Sequence, residues 1–229
     1  MMKPLLAIKN VSFAVKKHSF FRKRNGEKIL DNISFEVKSG EILGIAGPSG
    51  GGKTSLAKIM TGILEPTEGE VIKNFSKTKP HSANNVQLLF QNSEEIINPL
   101  RKTRELLLEA LRQGKADSID AKLTALLRDV NVSENLLGNY GFQLSGGQRQ
   151  RVALARLLAV EPEILIMDEP FSAQDVESQL NLLLLLKKIN SEKKITLICV
   201  SHQVNVLKKL TPRILTIKEG KLFSDLGER

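Results

Sequence analysis

The sequence predicts an α/β protein: a parallel sheet around a glycine-rich loop, flanked by an antiparallel β subdomain and interrupted by an inserted α-helical segment. Three observations lead there. The stretch Gly47-Pro48-Ser49-Gly50-Gly51-Gly52-Lys53-Thr54 fits G-x-x-x-x-G-K-S/T, follows the apolar run 42–46 and opens the helical pattern 55–60. A second apolar run, Ile164-Leu165-Ile166-Met167, ends on Asp168-Glu169, which delivers two carboxylates at a strand end. Between them the strand-helix alternation gives way to helical spacing and resumes only after Leu144.

Taken in order, residues 6–15 and 29–37 alternate as amphipathic strands with a polar, basic loop between them, the pattern of an antiparallel sheet. Lys38-Ser39-Gly40-Glu41 is a turn into the strand before the glycine loop. Residues 65–70 break the pattern and Val71-Ile72 restart a short strand. Residues 74–85 are polar and irregular, and Val86 to Gln91 reads as a buried strand ending on a polar residue. From Arg104 to about Val130 the leucines take helical spacing. Ser145 then suits an N-cap, with Gln148 three residues later as in a capping box, for a helix running to Ala159. After the strand 164–169 come a helix at 179–189, a strand at 195–200, Ser201-His202, a further helix, and a closing strand pair at 214–217 and 221–223. The whole chain, 1–229, is expected to be one domain. Residues 1–90 and 160–229 would form the core with its antiparallel flank, and about 91–159 the helical subdomain.

Composition narrows the class. At 41% hydrophobic and 26% charged the chain suits a globular protein with a buried core. The longest leucine run, 182–186, is far short of the roughly 20 apolar residues needed to span a bilayer. The N-terminus lacks the apolar segment and cleavage site of a signal peptide, so a cytosolic chain is expected. A single cysteine, Cys199, lies inside an apolar run; this excludes an intrachain disulfide and a cysteine metal site, and makes the residue core filler. The net charge is +9, with basic residues grouped at Lys16-Lys17-His18 and Arg22-Lys23-Arg24 around Phe20-Phe21. This reads as a solvated hairpin loop rather than a binding patch. With 4% aromatic residues there is no stacking platform of the kind single-stranded nucleic acid binders use.

The chemistry follows from residue types. Glycines let the backbone curl so that successive N–H groups face phosphate oxygens, and the helix that follows, opening at Ser55, adds its positive end. Lys53 is expected on the β- and γ-phosphates of a nucleoside triphosphate and the Thr54 hydroxyl on Mg2+. Asp168 would hold Mg2+ through water, and Glu169 would act as general base on the attacking water. Phosphoryl transfer asks for little else, because catalysis is mostly positioning and charge stabilisation.

Leu144-Ser145-Gly146-Gly147-Gln148, followed by Arg149-Gln150-Arg151, resembles the signature motif of ABC-type ATPases. Gln91 resembles that family's Q-loop, Ser172-Ala173-Gln174-Asp175 its D-loop, and Ser201-His202 its switch histidine. The motifs stand in the family's order across nearly the whole chain. The resemblance implies a P-loop NTPase core that binds ATP and Mg2+ and hydrolyses ATP. Two such subunits would close head to tail, each ATP lying between the P-loop of one and the signature helix of the other. Ser145, Gly146, Gly147 and Gln148 would then meet the γ-phosphate across the interface. His202 would contact the γ-phosphate and the water, Asp175 would link the two sites, and Gln91 would sense Mg2+ and the water. The family stacks adenine on an aromatic residue of its first sheet; Phe13 is the choice here, with Phe20 and Phe21 as competitors, while Tyr140 has no claim.

Finer resemblance is to the peptide and nickel uptake branch, carried by Phe90-Gln91-Asn92-Ser93, Ile97-Asn98-Pro99 and Arg101 to Leu106. The stretch between Gly69 and Val86 is short for that branch, Gln174 stands where leucine is common, and Arg229 ends the chain without the extension usual in peptide importers. That last point favours nickel or another metal over peptide. The expected partners are a second, identical or similar ATPase, integral membrane permease subunits and an upstream solute-binding protein, at the cytoplasmic face of the membrane. An ATPase of a cytosolic phosphonate-degradation complex ranks second. A nucleic-acid-linked relative ranks third, since the coiled-coil insert or second cassette of such proteins is missing.

Overall fold

The computed structural model describes residues 3–15, 27–75, 85–91, 97–114, 118–172 and 174–227. The basic segment with Phe20 and Phe21, and also Asn92, Ser93, Ala173 and Arg229, lies outside these described residues. Strands β1 (Leu6–Val15) and β2 (Glu27–Val37) pair antiparallel, with Leu6 opposite Val37 and Phe13 opposite Leu30. β3 (Ile42–Ala46) leads through the glycine loop into α1 (Lys53–Thr61). β4 (Glu68–Lys73) then joins the free edge of β1, completing a sheet in the order β2-β1-β4. β4 begins inside the stretch that reads as a break, because Glu68 and Glu70 pair with Ser12 and Lys9 at a solvated edge, where charged residues are welcome.

The second sheet contains β3, β5 (Val86–Leu89), β6 (Ile164–Asp168), β7 (Thr196–Ser201), β8 (Ile214–Lys218) and β9 (Lys221–Leu226), in the order β5-β6-β7-β3-β8-β9. Its first five strands are parallel and β9 closes it antiparallel, which is the expected α/β arrangement. β6 and β7 are buried along their whole length, so both faces need apolar side chains. Ile164, Ile166, Ile198 and Val200 face one core, shared with α1 and the antiparallel sheet. Leu165, Met167, Leu197 and Cys199 face the other. Cys199 is fully buried, and desolvation pushes its thiol pKa up, which leaves it inert packing.

The second core includes the helical segment. α2 (Thr103–Gln113) and α3 (Ile119–Asp129) flank residues 115–117, so the helical spacing from 104 to 130 is two helices. α4 (Gly146–Leu158) packs Val152, Leu154 and Leu158 into the same cluster as Leu106, Leu126 and the sheet residues Leu89 and Leu165. α5 (Val176–Lys193) and α6 (Val204–Leu210) complete this layer. α5 starts three residues before the predicted Gln179, because Asp175 caps it.

At the edge of the sheet where β3 begins, Arg213 ties three strands together. Its guanidinium donates to Glu36 O at 2.9 Å, to Glu41 at 2.7 Å and, through two nitrogens, to Asp225 at 2.9 and 3.2 Å. The opposite edge, where β3, β6 and β7 end, is where the strand ends line up. Ala46 lies beside Ser201 and Asp168 beside Val200, which brings the residues after each strand to one rim.

Candidate functional site

The loop after β3 is clamped on both sides. Gly47 has φ 151°, and a Cβ there would lie 2.0 Å from Ile217 O; Gly52 has φ 94°, and a Cβ would lie 2.8 Å from Ile29 O. Both positions therefore require glycine, by conformation and by space. Pro48, Ser49 and Gly50 form an exposed crest, while Gly51 and Gly52 are buried beneath it. Lys53, only 6% exposed, folds its ammonium into the curl and donates to Gly47 O and Pro48 O, both at 2.9 Å. The first turn of α1 carries no acidic residue, so its own side chains do not offset the positive end of the helix. Thr54 and Ser55 follow in that turn.

Asp168 closes β6 and is 3% exposed. Burial pushes its pKa up, opposed chiefly by a hydrogen bond from the Thr54 hydroxyl. Its Oδ1 has no hydrogen-bond partner among the described residues. A buried carboxylate oxygen without a donor, beside a hydroxyl, is an all-oxygen donor set that fits a hard divalent cation such as Mg2+.

Glu169 leaves the strand with φ 51°, a left-handed conformation rare for a side-chain-bearing residue. The chain turns sharply here while Glu169 N still donates to Val200 O at 2.8 Å, and the carboxylate swings toward the end of β7. Its Oε2 accepts from Ser201 Oγ at 3.0 Å and its Oε1 from His202 N at 2.9 Å. His202 Nδ1 lies 2.9 Å from the same Oε1, with half of the imidazole exposed. The carboxylate is thus fixed in direction by two strands and paired with a histidine that faces solvent.

The signature stretch forms the predicted cap. Ser145 Oγ accepts from Gln148 N at 3.3 Å, and Gln148 Oε1 accepts from Ser145 N at 2.9 Å. The Gln148 side-chain oxygen is therefore engaged in the cap, while Ser145 and Gly147 are exposed. Gln91 is in a turn two residues past the end of β5, because strand pairing stops at Leu89; the strand-end position expected for it is corrected to that extent. Gln91, Gly146, Gly147, Glu169 and Asp175 line one cavity of about 240 Å3. None of residues 47–55 is among the residues lining this cavity. Asp175 is exposed and caps α5: it accepts from Ser178 N at 2.9 Å and from Ser178 Oγ at 2.7 Å, which holds its carboxyl below the usual range. Phe13 is half-buried on β1, packed on the core of the antiparallel sheet, and its partner Leu30 abuts Gly52.

The sequence reading missed several groups. Ser201 is named there only as the neighbour of His202, yet its hydroxyl holds Glu169. Tyr140 and Phe142 stack with ring centroids 5.8 Å apart, and Lys102 lies over the Tyr140 ring. Backbone bonds from Gly141 to Arg101 and from Phe142 to Pro99 bring Leu100, 77% exposed, alongside Phe142, 61% exposed. In a chain this poor in aromatics, two aromatic residues flanking one glycine just before a helix cap are the signal available.

Residues 30–172 match the family model for the ABC transporter. The chain is similar to the oligopeptide transport ATP-binding protein OppF of Streptococcus mutans, at 35% identity over 96% of this chain and 74% of that protein. It is similar to the nickel import ATP-binding protein NikE of Escherichia coli, at 31% identity over 95% of this chain and 85% of that one. Among solved structures it is similar to a dimeric ATP-binding cassette in a post-hydrolysis state, bound to ADP and Pi. That likeness has a TM-score of 0.79 and 29% identity, covering 98% of this chain and 99% of the other.

Proposed function

We propose that this chain, which belongs to the ABC transporter family, is the ATP-hydrolysing subunit of an importer for peptides or nickel and works as half of a head-to-tail pair. The observation that carries the reading is the rim where Lys53, Asp168, Glu169 and His202 converge at three parallel strand ends. The amides of Gly47 to Thr54 and the Lys53 ammonium bind the β- and γ-phosphates, with Ser55 in the same turn. Lys53 exchanges its two carbonyl acceptors for phosphate oxygens, so its position is already set. Thr54, Asp168 and Gln91 are the residues that would hold Mg2+, which supplies neutralisation of the phosphate charge.

Glu169 accepts a proton from the attacking water, and its two oxygens are held by Ser201 and His202 so that the basic lone pair keeps one direction. His202, on the exposed side, donates toward the γ-phosphate. Ser145 and the Gly146 and Gly147 backbone of a second subunit complete the site, which agrees with Ser145 and Gly147 being exposed at the start of α4. Gln148 supports this edge by capping, and Asp175 lies beside it as the link between the two sites. Phe13 is the adenine platform.

The apolar patch of Leu100, Tyr140 and Phe142 suits docking of a membrane permease, since large exposed aromatics grouped on paired loops mark interaction surfaces. No helix among the described residues is long and apolar enough to cross a membrane. By analogy with its importer relatives, the protein works at the cytoplasmic face through permease subunits, with a solute-binding protein upstream. The similarity to both peptide and nickel proteins favours import over the phosphonate-complex alternative. Glu169→Gln tests the assignment. ATP binding stays within about threefold of wild type, and phosphate release falls by about 10²- to 10⁴-fold. A Glu169→Gln protein with undiminished turnover removes Glu169 from its role.

A further inference from the structure

We infer that Gln174 is a positioning residue: through Gln150 it locks the signature helix α4 to the turn that carries Glu169, so that one chain's contributions to two ATP sites move as a unit. The inference rests on the head-to-tail reading above. Gln174 Nε2 donates to Gln150 Oε1 at 2.6 Å and to Pro170 O at 3.1 Å. Gln150 Nε2 donates to the same Pro170 O at 2.8 Å. The three groups form a closed ring between α4, the residue after Glu169, and the residue before the α5 cap.

The ring fixes the amide of Gln174, because both acceptors face its nitrogen. Its Oε1 is consequently left buried without a partner among the described residues. A leucine would fill similar space without burying an unpaired acceptor, so glue for the fold is a poor explanation for glutamine here. What glutamine adds is a directional bond from the turn between β6 and α5 to the second turn of α4, five residues beyond Ser145. The same cavity is lined by Gly146, Gly147, Glu169 and Asp175, which places the ring among the groups that address both sites. Rotation of α4 relative to Glu169 breaks the bond, and with it the register between a chain's signature residues and its own glutamate.

Gln174→Leu tests this with melting temperature, ATP dependence of turnover, and ATP-driven dimer formation by Glu169→Gln chains. The melting temperature is expected to hold or rise. The ATP concentration for half-maximal turnover rises about fivefold, the value of one hydrogen bond, while kcat stays within about twofold. Gln150→Leu, which also removes the direct Gln150–Pro170 bond, gives an increase at least as large, and the double variant gives no more than Gln150→Leu alone, because Gln174 reaches α4 through Gln150. Gln174→Met serves as a second probe of the lost bond if the leucine variant folds poorly. A wild-type ATP dependence in these variants, a loss of melting temperature without a change in ATP dependence, or additive effects in the double variant would each overturn the proposal. Failure of ATP to pair Glu169→Gln chains that carry wild-type Gln174 overturns the head-to-tail pairing of two copies of this chain, and is distinguishable from these results.

Discussion

Gly147 is the second residue of α4, and a Cβ placed on it meets no heavy atom within 4 Å. Its φ is not in the left-handed region, so nothing within the chain asks for glycine. Gly147→Ala should therefore stabilise the isolated chain, by up to about 0.5–1 kcal/mol from backbone entropy alone. At roughly 2–4 °C per kcal/mol for a chain of this size, that is a rise of about 1–4 °C in Tm. In a composite site the same methyl group stands between a phosphate and the backbone N–H that should bind it. Losing one preorganised donor of this kind lowers turnover by about 10²- to 10³-fold. The assay pairs thermal melting of the nucleotide-free protein with phosphate release at saturating ATP. A Gly147→Ala chain that melts higher and turns over like wild type refutes the reasoning, because nothing then approaches that backbone.

Two further substitutions probe other parts of the account. Asp168→Asn should raise the Tm of the nucleotide-free protein and abolish the added stability conferred by Mg2+ with ATP, read from melts with and without both. The sign follows from the raised pKa: the folded state bears a charged, buried carboxylate above that pKa and sheds the penalty as pH falls toward the ordinary Asp value. The Tm gain from Asp168→Asn should therefore shrink as pH is lowered through this range. Arg213→Ala leaves Glu41 without its guanidinium partner and Asp225 without its paired bonds, and should lower unfolding free energy by about 2–3 kcal/mol in a denaturant titration. Its effect on turnover should not exceed what the stability loss explains, since Arg213 sits at the opposite edge of the sheet.

What could be read from sequence was local. The capping box of Ser145 and Gln148 is a spacing of three, and the glycine loop carries its own strand and helix as context. The carboxylates at the end of β6 were legible for the same reason. The Glu169, Ser201 and His202 cluster was not, because it depends on the register of β6 beside β7, a pairing of residues 32 and 33 positions apart. α5 was placed late because its first turn is exposed: Val176 and Leu180 face solvent, and buried leucines begin only at Leu182. The start of that helix is written in Asp175, whose likeness to a site residue hid its role as a cap. The patch of Leu100 and Phe142 arises from two loops joined by backbone bonds, which no periodicity announces.

The most direct measurement is the light-scattering mass of Glu169→Gln with ATP and Mg2+, with ADP, and with Ser145→Arg added in the same chain. The account expects the mass to double with ATP, to remain that of a single chain with ADP, and to stay single in the Ser145→Arg double variant even with ATP bound. A single-chain mass for Glu169→Gln at full ATP occupancy, or a doubling that survives Ser145→Arg, would contradict a site shared between the phosphate loop of one copy of this chain and the signature helix of a second copy.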